Sequence, residues 1–92
     1  MEQRIKNLQR LLRDKQLDAV LISSPANIIY FSDFSGFSSV ERDGYILITK
    51  KSGYILTNAL YKDAVKEQVR HLTLLEYSNA TPLNKHLANL AA

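Results

Sequence analysis

The sequence predicts a small α/β domain, three layers deep, with helices on both faces of a mixed sheet. Three observations predict it. Ala19-Val20-Leu21-Ile22 is an almost uninterrupted apolar run bounded by turn residues, the pattern of a strand buried on both faces. Amphipathic segments precede and follow it, and such a strand needs a helix over each face. Two β-rich runs flank Lys50-Lys51-Ser52-Gly53, a sequence suited to a hairpin turn. On this reading the stretch Leu17 to Gly36, LDAVLISSPANIIYFSDFSG, holds the central strand and organises the rest.

Ile5, Leu8, Leu11 and Leu12 recur at helical spacing, with Lys6, Asn7, Gln9, Arg10, Arg13 and Asp14 opposite, so residues 3–15 are predicted to form an amphipathic helix. Leu17 to Ser23 follows as the first strand. Ser24-Pro25 is a helix-start pair, serine to cap free N–H groups and proline pre-set for the first turn, so a short helix or 3₁₀ turn is expected between Ser24 and Phe34. Ser35 to Asp43 reads as an exposed, mobile loop. Gly44 to Thr49 and Tyr54 to Thr57 form the hairpin, with Gly53 expected to supply a positive φ at its turn. Ile46 and Ile48 alternate with Tyr45 and Leu47, so neither face is polar and both are expected to be covered.

Thr57 or Asn58 caps the next predicted helix, which runs to about Arg70 with Tyr61, Ala64, Val65 and Val69 as its apolar stripe. Leu72 to Tyr77 is a fourth strand. Thr81-Pro82 opens a last helix with Leu83, Leu87, Leu90 and Ala91 on one side. That helix shows no glycine or proline stop, so the chain reads as a piece of something longer, or as a minimal version of it.

A chain of 92 residues makes one domain, and a small one, burying roughly 60 to 65% of its unfolded surface. Its 46% hydrophobic and 23% charged residues are those of a folded globular protein. The net charge is +3, with Arg4, Lys6, Arg10, Arg13 and Lys15 gathered in the first segment. Interspersed acids and the lack of an aromatic stacking platform favour a solvated helix face, so neither nucleic acid nor an acidic membrane is expected as a partner. The absence of cysteine excludes disulfides and thiolate zinc sites and fits a reducing, cytoplasmic setting. No apolar run approaches the ~20 residues that would span a bilayer.

Catalytic chemistry finds little support. His71 and His86 have no carboxylate at i+3 or i+4; His71 is expected at a helix C-terminus and His86 in solvent, and no metal is expected. Serines 23, 24, 32, 35, 38 and 39 stand in no strand-to-helix elbow, and glycines 36, 44 and 53 lie too far apart to cradle a phosphate. Asp18, Asp33, Glu41 and Asp43 read as solvated turn acids. The constellation that stands out is aromatic. Tyr30 and Phe31 suit core filling beneath the loop, whereas Phe34 and Phe37, flanked by serine and glycine, suit either the core or a hydrophobic wall offered to a ligand or partner.

From about Arg4 to its end the chain resembles the N-terminal domain of the creatinase/prolidase family, proline-specific metallopeptidases that include aminopeptidase P and Xaa-Pro dipeptidase. The resemblance is carried by RIKNLQRLL, by LDAVLISSPANIIYFSDFSG, similar to the family's strand and its P-x-N-I-x-Y-L-T-G-F segment, and by the hairpin GYILITKKSGYILTNALYKDAV. Ser32-Asp33 stands where the family has Thr-Gly. Thr57-Asn58-Ala59-Leu60-Tyr61 lacks the acid and arginine of the aminopeptidase-like T-D-x-R-Y, while Ala59-Leu60 and Glu41-Arg42 lean toward dipeptidase-like members.

The resemblance implies a fold with a ribonuclease H-like motif and a parent enzyme that cleaves before proline. That enzyme would use two divalent metal ions (Mn, Co or Zn) held in a C-terminal catalytic domain absent from these residues. It implies a non-catalytic role for this chain, supporting a homodimer and shaping the pocket for a proline-containing peptide. The matching positions are the loop Phe34 to Arg42, with Phe34, Phe37, Glu41 and Arg42 as candidate pocket or partner contacts and no catalytic or metal-binding residue. A different class, a stand-alone interaction module that keeps the fold without the enzyme, is the alternative; a basic nucleic-acid binder would show steeply salt-dependent binding.

Overall fold

In the computed structural model, which describes residues 2–37 and 44–91, four strands form one sheet in the order β1-β2-β3-β4. They are β1 (Ala19–Ile22), β2 (Gly44–Thr49), β3 (Gly53–Thr57) and β4 (Thr73–Glu76). β1 and β3 run antiparallel to β2, and β4 runs parallel to β3, so the sheet is mixed as predicted. The elements α1 (Glu2–Asp14), α2 (Pro25–Ser32), α3 (Ala59–Gln68) and α4 (Leu83–Ala91) complete the α/β fold.

Register decides which residues share a face. Val20 lies opposite Ile48, Ile22 opposite Ile46, Ile46 opposite Ile55, and Ile55 beside Leu74. Because successive side chains alternate, these residues form one face. All belong to or pack against a single core cluster with Ile5 and Leu12 of α1, Ile28 of α2, and Val65 and Val69 from α3 and its end. On the opposite face Leu47 and Leu56 are buried too, outside that cluster. Both faces are therefore covered at the sheet's centre, as the unbroken apolar pattern of the hairpin predicts. Among the described residues α4 contributes none to the first cluster, and His86 ties it to the end of β4 by donating from Nε2 to the Glu76 carbonyl at 2.7 Å. His86 is half-buried and engaged, not the solvent-facing residue expected.

Among the described residues β1 is an edge strand, not the central one that its apolar run predicts. Val20 and Ile22 face the helices, but Leu21 points away and stays 41% exposed. Four apolar residues in a row do not record how many strands lie alongside. The buried centre belongs to the hairpin instead, where Ile46, Ile48, Ile55 and Leu56 are fully enclosed.

Local chemistry sets the ends of the elements. α1 closes with Gln16 at φ 57°, its N–H donating to Arg13 O (3.2 Å) while the Leu17 N–H reaches Leu12 O (2.9 Å), the paired bonds of a Schellman ending. Asn58 caps α3 by accepting from the Leu60 N–H at 3.0 Å. Ser24 has the extended backbone of a cap and Pro25 opens α2, yet the serine side chain makes no capping bond. The hairpin turn needs no positive φ at Gly53, which sits in β3. Thr49 organises the turn instead: its hydroxyl oxygen accepts from the Ser52 N–H at 2.9 Å and the Lys51 N–H at 3.4 Å.

Placing the core on β2 and β3 makes two truncations diverge. Ile55→Ala is expected to remove about 2–5 kcal/mol of stability and Leu21→Ala no more than about 0.5 kcal/mol, measured by urea unfolding. Equal losses would contradict the edge position of β1.

Candidate functional site

α2 and the segment that leaves it carry the aromatic group. The helix PANIIYFS holds no charged residue, and its apolar side chains surround its axis. Tertiary contacts settle which side is inside: Ile28 and Ser32 are buried, Phe31 packs against the core, and Tyr30 is 50% exposed. Tyr30 is thus outward rather than the core filler expected. Ile29 beside it is exposed as well.

A helix end leaves carbonyls without intrahelical partners, and each buried one needs a donor. At α2 several donors converge. Asp33 adopts φ 60°, ψ 22° and its N–H bonds Ile29 O at 2.7 Å. Arg4, from α1, donates from Nη1 to Tyr30 O at 2.7 Å and stacks its guanidinium 4.3 Å from the Tyr30 ring centroid. His71 donates from Nε2 to Phe31 O at 2.8 Å, which fixes the proton on that nitrogen because a carbonyl only accepts. The buried Ser32 hydroxyl donates to Ile28 O at 2.5 Å and accepts from the Phe34 N–H at 3.0 Å. A guanidinium also complements the negative end of the helix dipole. His71 does serve a helix C-terminus, that of α2 rather than the end of its own helix.

The left-handed conformation at Asp33 falls where the resembled family has glycine, the residue with no Cβ penalty there. It turns the chain so that Phe34 goes inward, 2% exposed. The Phe34 ring meets Phe37 edge-on at 4.8 Å, and Phe37 meets Tyr61 of α3 at 5.1 Å. Two glycines make room for these rings. A Cβ at Gly36 would lie 2.5 Å from the Phe34 ring, and one at Gly44 would lie 2.5 Å from the Phe37 ring.

Of the four predicted contact residues, the structure thus brings Phe34 and Phe37 together, in or against the core. Phe34 fills the interior and is not an exposed wall. Glu41 and Arg42 lie outside the described residues. Arg4 and His71, read from sequence as a solvated cation and a generic helix-end histidine, are the residues that hold α2. Neither spacing nor motif joins them to it, since they lie 26 and 40 residues from the carbonyls they meet. The one available signal was the missing glycine after α2. Among the described residues no three of His, Asp and Glu come together as a metal ion would need, so these residues do not fit the metal pair of the resembled enzymes. No described helix is long and apolar enough to cross a membrane.

Two measurements test this geometry. Asp33→Gly is expected to leave stability unchanged or raise it by up to about 1 kcal/mol, whereas Asp33→Val lowers it by about 1–2 kcal/mol, read from thermal unfolding. His71→Ala should cost about 1 kcal/mol and speed amide exchange around residues 29–34, with His71→Gln, which keeps a donor, losing less.

The Creatinase/Prolidase N-terminal domain profile matches residues 4–92. No curated protein sequence matches the chain. Among solved structures, the chain is similar to the aminopeptidase P (Xaa-Pro aminopeptidase) of Streptococcus thermophilus, with 25% identity and a TM-score of 0.72 over 86% of this chain and 58% of that one. It is similar to an Xaa-Pro aminopeptidase of Streptococcus pyogenes, with 29% identity and a TM-score of 0.72 over 86% of this chain and 57% of that one. An Xaa-Pro dipeptidase of Bacillus anthracis shares the fold, with 19% identity and a TM-score of 0.80 over 97% of this chain and 24% of its own. The chain spans less than two thirds of each of these structures. With the profile running through α1, the hairpin and the capped aromatic segment alike, the chain belongs to the creatinase/prolidase N-terminal domain family.

Proposed function

We propose that this chain is the non-catalytic N-terminal domain of a cytoplasmic Xaa-Pro peptidase, a dipeptidase or an aminopeptidase, and that it supports dimerisation and shapes the substrate pocket. The observation that carries the reading is the family match over residues 4–92, joined to a likeness with Xaa-Pro aminopeptidases of which the chain spans under two thirds. The catalytic work, including any pair of divalent metal ions, belongs to a C-terminal domain beyond these residues, and the substrate is a proline-containing peptide.

The chain's own part is positional. Phe34 and Phe37 anchor the segment after α2 to the core, and Glu41 and Arg42 supply the polar contacts to substrate or to the partner subunit. The outer edge of β1, which has no strand beside it among the described residues, and the exposed Leu21 support a role in association.

The test uses the full-length, metal-loaded protein that contains this domain. Glu41→Ala and Arg42→Ala should change the ratio of kcat/KM for an Xaa-Pro dipeptide over a longer Xaa-Pro peptide by about tenfold, with thermal stability kept. Unchanged ratios for both would remove the pocket-shaping role, and a monomer in sedimentation would remove the role in dimerisation.

A further inference from the structure

A cleft of about 310 Å³ opens between α1 and the hairpin turn. Ile5, Lys6 and Gln9 line it from α1, Lys51, Ser52 and Gly53 from the turn and the start of β3, and His71 closes one end. That volume lies at the small end of ligand-binding pockets. Its walls are fixed in advance. Gln9 donates from Nε2 to Ser52 O at 3.3 Å and Arg13 from Nη1 to Lys50 O at 3.0 Å, while Thr49 sets the turn.

Charge and hydrogen-bonding capacity are unbalanced here. No acid lines the cleft, and neither Lys6 nor Lys51 has an ion-pair partner among the described residues, whose salt bridges include Lys50–Asp18 and Lys62–Glu76. The backbone carbonyls beside it are engaged: Ser52 O receives Gln9, the Thr49 N–H and the Thr49 hydroxyl, Lys50 O receives Arg13, and Phe31 O receives His71. Surplus donors remain, among them two ammonium groups and the Ser52 hydroxyl. Ammonium groups act as point charges that suit a carboxylate or phosphate without demanding bidentate geometry. The side chain of Ile5, 7% exposed, gives the same cleft an apolar patch.

We propose that this cleft binds a small organic anion, with its carboxylate or phosphate held by Lys6 and Lys51 and its apolar part against Ile5. The site is independent of the peptidase reading. It is tested by titrating the ¹⁵N-labelled full chain with sodium phosphate and, separately, with succinate, holding ionic strength constant with sodium chloride. Saturable amide shifts confined to residues 5–9, 51–53 and 71 are expected. The double variant Lys6→Ala/Lys51→Ala should weaken binding by at least about tenfold, and Arg10→Ala should leave it unchanged. Saturation by phosphate alone would assign a phosphate ester, and saturation by succinate a carboxylate. Both cations are exposed, so the double variant should melt at the wild-type temperature. Shifts that grow linearly and spread to Arg10, Lys15 and Lys62, or a folded double variant that binds as the wild type does, would overturn the site.

Discussion

The carbonyl end of α2 is the constraint on which the arrangement depends. An uncharged helix of eight residues cannot hold itself against the sheet by helix propensity, because a helix this short is unstable alone. It is held where its last carbonyls find donors, and those come from parts of the chain that would otherwise have no reason to meet. Arg4 brings the start of α1 to it, and His71 brings the approach to β4. The same two bonds connect both flanking elements to the helix over the first face of the sheet. The charge-assisted bond from Arg4 and the half-buried bond from His71 each add to the joint's stability.

Much of the fold could be read locally. The hairpin, α1 and α3 each declare themselves through periodicity over a few residues, and Asn58 announces its cap because the group it serves lies two residues away. What escaped depends on distance. Whether β1 is central or peripheral is a matter of how many strands flank it, and its own four residues say nothing of that. The inside of α2 was equally hidden, because its apolar residues ring the helix and leave the choice of buried side to Ser32, Ile28 and their neighbours in space. That is why Tyr30, expected in the core, faces outward, while Phe34, left open between core and wall, is buried. Gly53 misled for another reason: a glycine beside a turn invites a left-handed reading, but the hydroxyl of Thr49 already satisfies the turn's N–H groups.

These corrections alter what the family membership means for the chain. The segment after α2 is not a strip of aromatic side chains held out to solvent. Its first residues form part of the interior, joined ring to ring from Phe34 through Phe37 to Tyr61 on α3. The phenylalanines determine where the chain leaves the described segment at Phe37.

The two glycines that admit these rings have a consequence for how such a domain diversifies. Gly36 lies against one ring and Gly44 against the other, so the chain is fixed on either side of the residues between Phe37 and β2. A stretch of chain between two fixed points accepts changes of length and composition at small entropic expense. On the proposed function, drift in that interval would retune selectivity over generations while the scaffold on either side of it stays the same.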